Sequence, residues 1–331
     1  MDSSYYDTAL GGVGTQKFSM SVLPGRRRTG ASQVVIQRNP LAKGSKLIIG
    51  TWNVRTMLQG GKLENLKREM DRKKLDVVGL CEVRYEGCGE FTSGKVKMIF
   101  SGKVKGQNGV AIVLGERVKN CVKSIELVSD RLMMVRLRAE PKDIVFIQVY
   151  MPTSAHSDEE VEDLYSQIEE IIRREEKDSC VVVMGDMNAV VGEGKEDKIV
   201  GSFGYGVRND RGDMLVNFCR ENKLIITNTW FKNHLRRRYT WKAPGDRARY
   251  QIDYVLVQER FRNSIKKACA HPGADIGSDH NLVIVEMEVR LKRVKRALVR
   301  KRWDLEKLKV VTEDFGNRME KKIEEVSRSG A

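Results

Sequence analysis

Apolar residues recur along this chain with two different periods, and the exchange between them outlines an architecture. After residues 1–45, where Gly, Ser and Arg cluster without sustained periodicity, KLIIGTWNV from Lys46 reads as a buried strand. Leu63, Leu66 and Met70 then recur at spacings of three and four, which predicts a helix near residues 61–74. DVVGLCEV is a second buried strand ending in an acid. GVAIVL, RLMMVRL and DIVFIQVYMP follow as strands, the last two joined by a hairpin through residues 140–143. Ser157 and Glu160 form a capping box ahead of Val161, Leu164, Tyr165, Ile168, Ile171 and Ile172, an apolar stripe at helical spacing. CVVVMGDMN, KLIITNT, RYQIDYVLV and LVIVEMEV complete the strands, and RGDMLVNFCREN reads as a shorter amphipathic helix.

This succession carries too many strands for a doubly wound sheet. Hairpins mixed with crossovers predict an α/β fold of two mixed β-sheets packed face to face, with helices outside. With 331 residues and 40% apolar content, the chain is long enough for one large domain with extensions. The expected organisation is a mobile basic tail over 1–45, a domain over 46–289, and a basic segment with an amphipathic helix over 290–331. Trp303, Leu305, Leu308, Val311 and Phe315 would form that helix's apolar face.

Charge and cysteine usage narrow the function classes. The formal net charge is +15, and most of it lies in the flanks: residues 1–45 carry six Lys or Arg against two Asp, and residues 290–302 carry eight basic residues and no acid. Basic extensions on a nearly balanced core would attract polyanions, although a solvated linker accounts for the 290–302 run equally well. The six cysteines show no C-x-x-C spacing, which favours reduced thiols over a disulfide framework or a zinc site. Apolar runs are short and no signal core opens the chain, so neither a membrane span nor secretion is expected.

The candidate chemistry lies at strand ends. Asn53 follows IIGTW, Glu82 follows VVGLC, Tyr150 follows FIQV, Asp186 and Asn188 follow VVVMG, Asp253 sits in RYQIDYVLV, and Asp279 and His280 precede LVIVEM. A single such residue is an ordinary turn former. Six strands that each end in an acid, amide, phenol or imidazole suit phosphodiester hydrolysis, which needs a neutralised phosphate, a positioned water and help for the departing oxygen. Carboxylates and an amide oxygen are hard donors suited to Mg²⁺. Four histidines and no H-x-x-x-H argue against a zinc hydrolase.

TWNV, CEV, NGVAI, VYMP, GDMN, IDY and GSDH occur here in an order that resembles the endonuclease/exonuclease/phosphatase superfamily, over residues 46–289. Within it, TWNVRTM, RNDRGDMLVNFC and RWDLEKLK look most like the endonucleases of RTE/BovB-type retrotransposons. The resemblance implies a four-layer α/β/β/α sandwich and a Mg²⁺-dependent endonuclease, with Mn²⁺ as a substitute, that nicks DNA with low sequence specificity to leave a 3′-hydroxyl. It assigns Glu82, Asn53 and Asp279 to the metal, Asp186 and Asn188 to water and phosphate, Tyr150 to a phosphate oxygen, and His280, positioned by Asp253, to the transition state. Arg84 and Asn209 are further DNA-contact candidates, with surface solvation and helix capping as their plain alternatives. Arginines interleaved with aromatics at Arg236, Arg237, Arg238, Tyr239 and Trp241 also suit DNA, unless the aromatics simply face inward. Arg55 departs from the pattern, standing where abasic-site endonucleases commonly carry Asp. The expected setting is a nuclear monomer acting on DNA, with chromatin association through the basic flanks. A DNA- or chromatin-binding module with an unused site, or a phosphatase or phospholipid diesterase on the same fold, are the alternatives.

Overall fold

The computed structural model describes residues 41–42, 44–175, 177–288 and 305–328. The 1–40 part of the expected tail, the basic run at 290–302 and Trp303 therefore lie outside the described residues. In chain order the elements are β1 (Lys46–Asn53), α1 (Lys62–Lys73), β2 (Val77–Cys81), β3 (Cys88–Ser93), β4 (Val96–Ser101), β5 (Val110–Leu114), β6 (Val122–Leu127), β7 (Leu132–Leu137) and β8 (Asp143–Tyr150). They continue with α2 (Asp158–Glu175), β9 (Ser179–Asp186), α3 (Asp210–Glu221), β10 (Leu224–Ile226), β11 (Trp241–Lys242), β12 (Arg249–Tyr250), β13 (Asp253–Gln258), β14 (Ile265–His271), β15 (Leu282–Glu288) and α4 (Leu305–Arg328).

Two mixed sheets form the centre, in the orders β14-β15-β1-β2-β5-β4-β3 and β10-β13-β9-β8-β7-β6. Because strand side chains alternate, each sheet has an inner and an outer apolar face. Ile49, Val77, Ile112, Phe146, Val182 and Val255 fill the space between the sheets. Leu66 and Met70 of α1 pack with Val78 and Leu80 on the outside of the first sheet. The α2 stripe of Val161, Leu164, Ile168 and Ile172 and the α3 residues Leu215 and Cys219 cover the second. The result is the expected four-layer α/β/β/α sandwich. The backbone N–H of Glu160 donates to Ser157 Oγ at 3.3 Å, so the predicted cap starts α2.

Two glycines are required by close approach. A Cβ on Gly79 would stand 1.7 Å from Gln148 Oε1, where that buried side chain crosses between the sheets. Gly185, at φ 151°, lets β9 run so close to β8 that a Cβ would fall 1.8 Å from the Val149 carbonyl oxygen. That passage delivers Asp186 to the end of the strand.

Strand pairing brings the functional ends together. Asn53 of β1 is in register with Cys81 of the parallel β2, so both strands finish at one end and Glu82 follows immediately. In the second sheet Tyr150 and Asp253 both pair with Asp186. Antiparallel β15 and β13 begin where β1 and β9 end, which brings His280 and Asp253 to the same end. Among the described residues no helix is long and apolar enough to cross a membrane. α4 is a 24-residue helix whose Val310, Phe315, Met319 and Ile323 are exposed. The side chains of Leu305 and Leu308 are not among those described.

Candidate active site

At this common end the sheets open into a cavity of about 500 Å³ lined by Arg55, Glu82, Arg84, Tyr150, Asp186, Asn188, Trp241, Asp279 and His280, among others. Asn53 bridges its two halves: the side-chain amide donates to Glu82 Oε1 at 2.8 Å and to Asp186 Oδ2 at 2.9 Å. Glu82 also accepts from the Tyr150 hydroxyl at 3.1 Å and from Arg84 Nη2 at 2.7 Å. Burial opposes the charged form of Glu82, but the Arg84 guanidinium, the Asn53 amide and the Tyr150 hydroxyl outweigh it and hold the carboxyl below its ordinary pKa. Glu82 is thus a fixed anion at the mouth of the cavity.

The deeper half holds the opposite arrangement. His280 Nδ1 lies 3.0 Å from Asp253 Oδ2, and its Nε2 is 4.0 Å from Asp186 Oδ2. All three residues are buried, Asp253 completely. Burial alone would lower the imidazole pKa; the Asp253 charge and hydrogen bond, with Asp186 behind them, reverse this and raise it to about 9. Burial, then the Asp253 charge, push Asp186 well above the ordinary carboxylate range, against the pull of His280 and Asn53. A neutral-pH imidazolium and a carboxylate with raised proton affinity therefore face one cavity.

Oxygen and nitrogen atoms of Asp186, Asp253 and His280 lie within 4.8 Å of one another, close enough to hold an ion. A ring kept cationic does not suit a second cation, so hard donors for a metal are better sought at Glu82 and Asp279. Asp279 Oδ1 is buried without a hydrogen-bond partner, an acceptor left open for a ligand. Its Oδ2 is occupied: Arg55 Nη1 approaches to 3.2 Å and Trp241 Nε1 donates at 3.1 Å.

The rim backbone is strained. Arg55, Glu82, Arg84 and Asn188 all have φ between 46° and 59°, the left-handed region that non-glycine residues enter at a cost of roughly 1 kcal/mol or more. The loops that hold them are tied down. Ser278 Oγ donates to the Asn53 carbonyl at 2.7 Å and accepts from the His280 N–H, and Trp52 Nε1 donates to the His280 carbonyl at 2.8 Å. Lys62, on the first turn of α1, turns its ammonium inward onto the carbonyls of Val54, Ile276 and Gly277, clamping the loop ahead of His280. Thr240 Oγ1 accepts from the N–H groups of Ile252 and Asp253.

Of the eight residues expected at catalytic or metal positions, six line this cavity, and buried Asn53 and Asp253 stand behind them, hydrogen-bonded to Glu82, Asp186 and His280. Several have partners the sequence did not reveal. Asn188 spends its amide donor on the Met151 carbonyl at 2.8 Å. Asn209 is the N-cap of α3, accepting from Gly212 N and Val190 N at 2.9 Å each, while also lining the cavity.

The arginine and aromatic stretch divides. Trp241 joins the cavity wall beside Tyr250, with ring centroids 5.7 Å apart. Tyr239 is 4% exposed, packed under Arg249 and Lys242 and against Tyr205, so it cannot stack on a substrate. Arg236, Arg237 and Arg238 do not line the cavity; Arg238 donates to the Asn233 carbonyl and lies over Phe203. Alternation alone could not tell which way this short irregular segment turns. Arg55, singled out only as a departure from the family pattern, lines the cavity, as do Thr153, Ser154 and Tyr250, which sequence reasoning missed. Their positions beside TWNV, VYMP and IDY were the available signal.

The class defined here is one of fold: the described body of the chain has the four-layer fold of endonuclease/exonuclease/phosphatase-type proteins. More particularly, residues 144–284 match the family described as "Endonuclease-reverse transcriptase". Craniofacial development protein 2 of Bos taurus is 40% identical over 245 residues, covering 74% of this chain and 41% of that protein. This chain thus spans about two fifths of the length of the curated relatives it matches. Solved structures with the same fold include the endonuclease domain of TRAS1, a telomere-specific non-LTR retrotransposon, at TM-score 0.53 and 18% identity over 74% of this chain and 100% of that one. Another is the AP endonuclease LMAP from Leishmania major, at TM-score 0.58 and 13% identity over 74% and 88%. The resemblance to the superfamily and its retrotransposon branch, read from the ordered motifs, is borne out.

Proposed function

We propose that this chain is a divalent-metal-dependent phosphodiesterase that nicks DNA with low sequence specificity and leaves a 3′-hydroxyl. The observation that carries the reading is the Asn53 bridge, which joins the ionised Glu82 of one sheet to the Asp186–His280–Asp253 cluster of the other.

Glu82, Asp279 and Asn53 would hold Mg²⁺, or Mn²⁺ in its place, because they supply hard oxygen donors and Asp279 keeps an unpartnered one. When bound, the ion supplies neutralisation of charge on a nonbridging phosphate oxygen. Asp186, with its raised proton affinity and its Oδ1 fixed by the Asn188 N–H at 3.0 Å, orients a water and accepts its proton. His280 presents a preorganised positive charge to the phosphorane-like transition state, and Asp253 keeps it charged and oriented. Tyr150 and Arg84 fix the Glu82 carboxylate. Arg84 and Arg55 add positive charge at the entrance.

DNA is the substrate favoured by those cations and by the names of the structural relatives. Arg55 in place of an acid speaks against specialised abasic-site cleavage. A nuclear monomer associating with chromatin is the setting that fits this substrate. The test is nicking of a supercoiled plasmid with and without Mg²⁺, using Glu82→Ala checked for an unchanged melting profile. Loss of nicking in the variant is expected. Equal rates from the folded variant and the wild type would remove the assignment.

A further inference from the structure

On the outer face of the first sheet, α1 stops short of the β14 edge. The uncovered strip is a cavity of about 450 Å³ with an apolar floor that includes Ile284 and Cys269, and a cationic border. Lys73 and Lys74 reach it from the end of α1, and Lys267 and His271 from β14. Arg237 adds its charge from the short turn Leu235–Arg237, which packs against β14. Two further cations are neutralised locally, Lys46 by Glu286 at 2.6 Å and Arg72 by Glu69 at 2.5 Å. Lys73, Lys74, Lys267 and Arg237 have no ion-pair partner among the described residues.

Four unpaired like charges around one depression repel one another, and the effect registers on their neighbour. His271, its Nε2 3.4 Å from Cys269 Sγ, is pushed down to about 4 by burial and then by Lys73, Arg237, Lys267 and Arg72. Lys73 is itself lowered by burial, with Arg72 and Arg237 adding to it and Glu69 opposing. A proton is excluded here by the same field that would hold an anion.

We propose that this strip is a second phosphate-binding cradle, in which Lys73, Lys74, Lys267 and Arg237 grip the phosphodiester backbone of a nucleic acid held at the active site. The inference rests on the nuclease reading for the nature of the polyanion. Its reach is suited to that role. Lys267 pairs with Glu286, six residues along β15 from His280, so the cradle lies roughly 20 Å from the His280 backbone, with His271 between the two. A duplex offers a phosphate on each strand every ~3.4 Å of axis, so a strand leaving the cavity carries phosphates to the cradle in about six base pairs. Arg237, which does not line the catalytic cavity, finds its use in this second contact.

The experiment compares wild type with a Lys73→Gln, Lys267→Gln double variant by fluorescence anisotropy of a labelled linear duplex across a salt series, in Ca²⁺ to suppress cleavage. Neutralising two phosphate contacts should lower the slope of log K against log salt by about 2 and weaken affinity at low salt tenfold or more. The His271 ring, followed by NMR, should titrate higher in the variant, and higher in wild type when duplex is added. Wild type and variant with the same slope and affinity would overturn the cradle, as would a wild type with no measurable duplex affinity. Plasmid nicking, measured alongside, separates the two ideas: a wild type that fails to nick while the variant loses slope overturns hydrolysis and supports the cradle.

Discussion

Replacing Asp253 by Asn tests the electrostatic core of the site, because the change keeps the shape and a hydrogen-bond acceptor for His280 Nδ1 while removing the charge. The difference between an ordinary imidazole near 6.5 and His280 at about 9 corresponds to about 3 kcal/mol favouring the charged ring. With His280 7% exposed, solvent screening takes little from that figure. At neutral pH roughly 99% of the rings are charged in the wild type; without the Asp253 charge, burial is opposed only by the smaller pull of Asp186 and Asp279, and a ring returned to the ordinary value is charged in roughly a quarter of molecules. The His280 ring resonances of Asp253→Asn should therefore titrate at or below 6.5. Nicking should fall by about fourfold or more at neutral pH and recover part of the loss as pH is lowered. Stability follows the same sign. A raised folded pKa contributes stability fully present below about 6.5 and lost as pH rises through about 9, so the wild-type melting temperature should decline across that window and the variant's should not. A His280 that still titrates near 9 in the folded variant would refute the reasoning, whatever happened to activity.

Asn209→Ala removes the acceptor for Gly212 N and Val190 N and should cost about 1 kcal/mol or somewhat more, read as a lower melting temperature; an unchanged melt would count against the capping role. Arg55→Ala should release Asp279 from its ion pair and tighten Mn²⁺ binding in calorimetry, with little change in stability because the arginine side chain is 57% exposed. Equal affinities would show that the pair does not compete with the ion. His271, with its folded pKa lowered to about 4, is neutral in the native state above that value, so stability should be flat above about 6.5 and fall as pH drops from there toward 4, where the unfolded chain takes up the proton first. His271→Gln should flatten that acid limb, and an unaltered limb would remove His271 as its source.

Much of the fold was legible wherever a strand or helix had one buried face. The α2 stripe, the buried runs that became β1, β2, β5, β8 and β9, and the polar residues at their ends follow from periodicity. The strands β3, β4, β6 and β14 were not read from the sequence. β3 and β6 are half exposed edge or near-edge elements, and β14 alternates imperfectly with two exposed lysines, Lys266 and Lys267. Their identity comes from the partner that completes each ladder. The hairpin of β11 and β12 is two residues on each side, too short for any period.

Chemistry divides along the same line. The linear chain determined which groups are available: carboxylates, an amide and an imidazole, each placed where a buried run of known direction ends. Parallel β1 and β2 must finish together, so Asn53 and Glu82 were bound to meet once both were strands. The partners of each group were decided by tertiary structure alone, because they come from segments far apart in sequence. Asp279 was expected at the metal, yet Arg55 and Trp241 share one of its oxygens. Lys62, a basic residue on the first turn of α1, turns inward to clamp the loop before His280. Tyr239 and Trp241, two residues apart, would share a face in a regular strand, yet one is buried and the other lines the rim because the segment before β11 is irregular. Residue type and strand direction are local properties, whereas charge pairing and burial depend on which distant surfaces the packed sheets bring into contact.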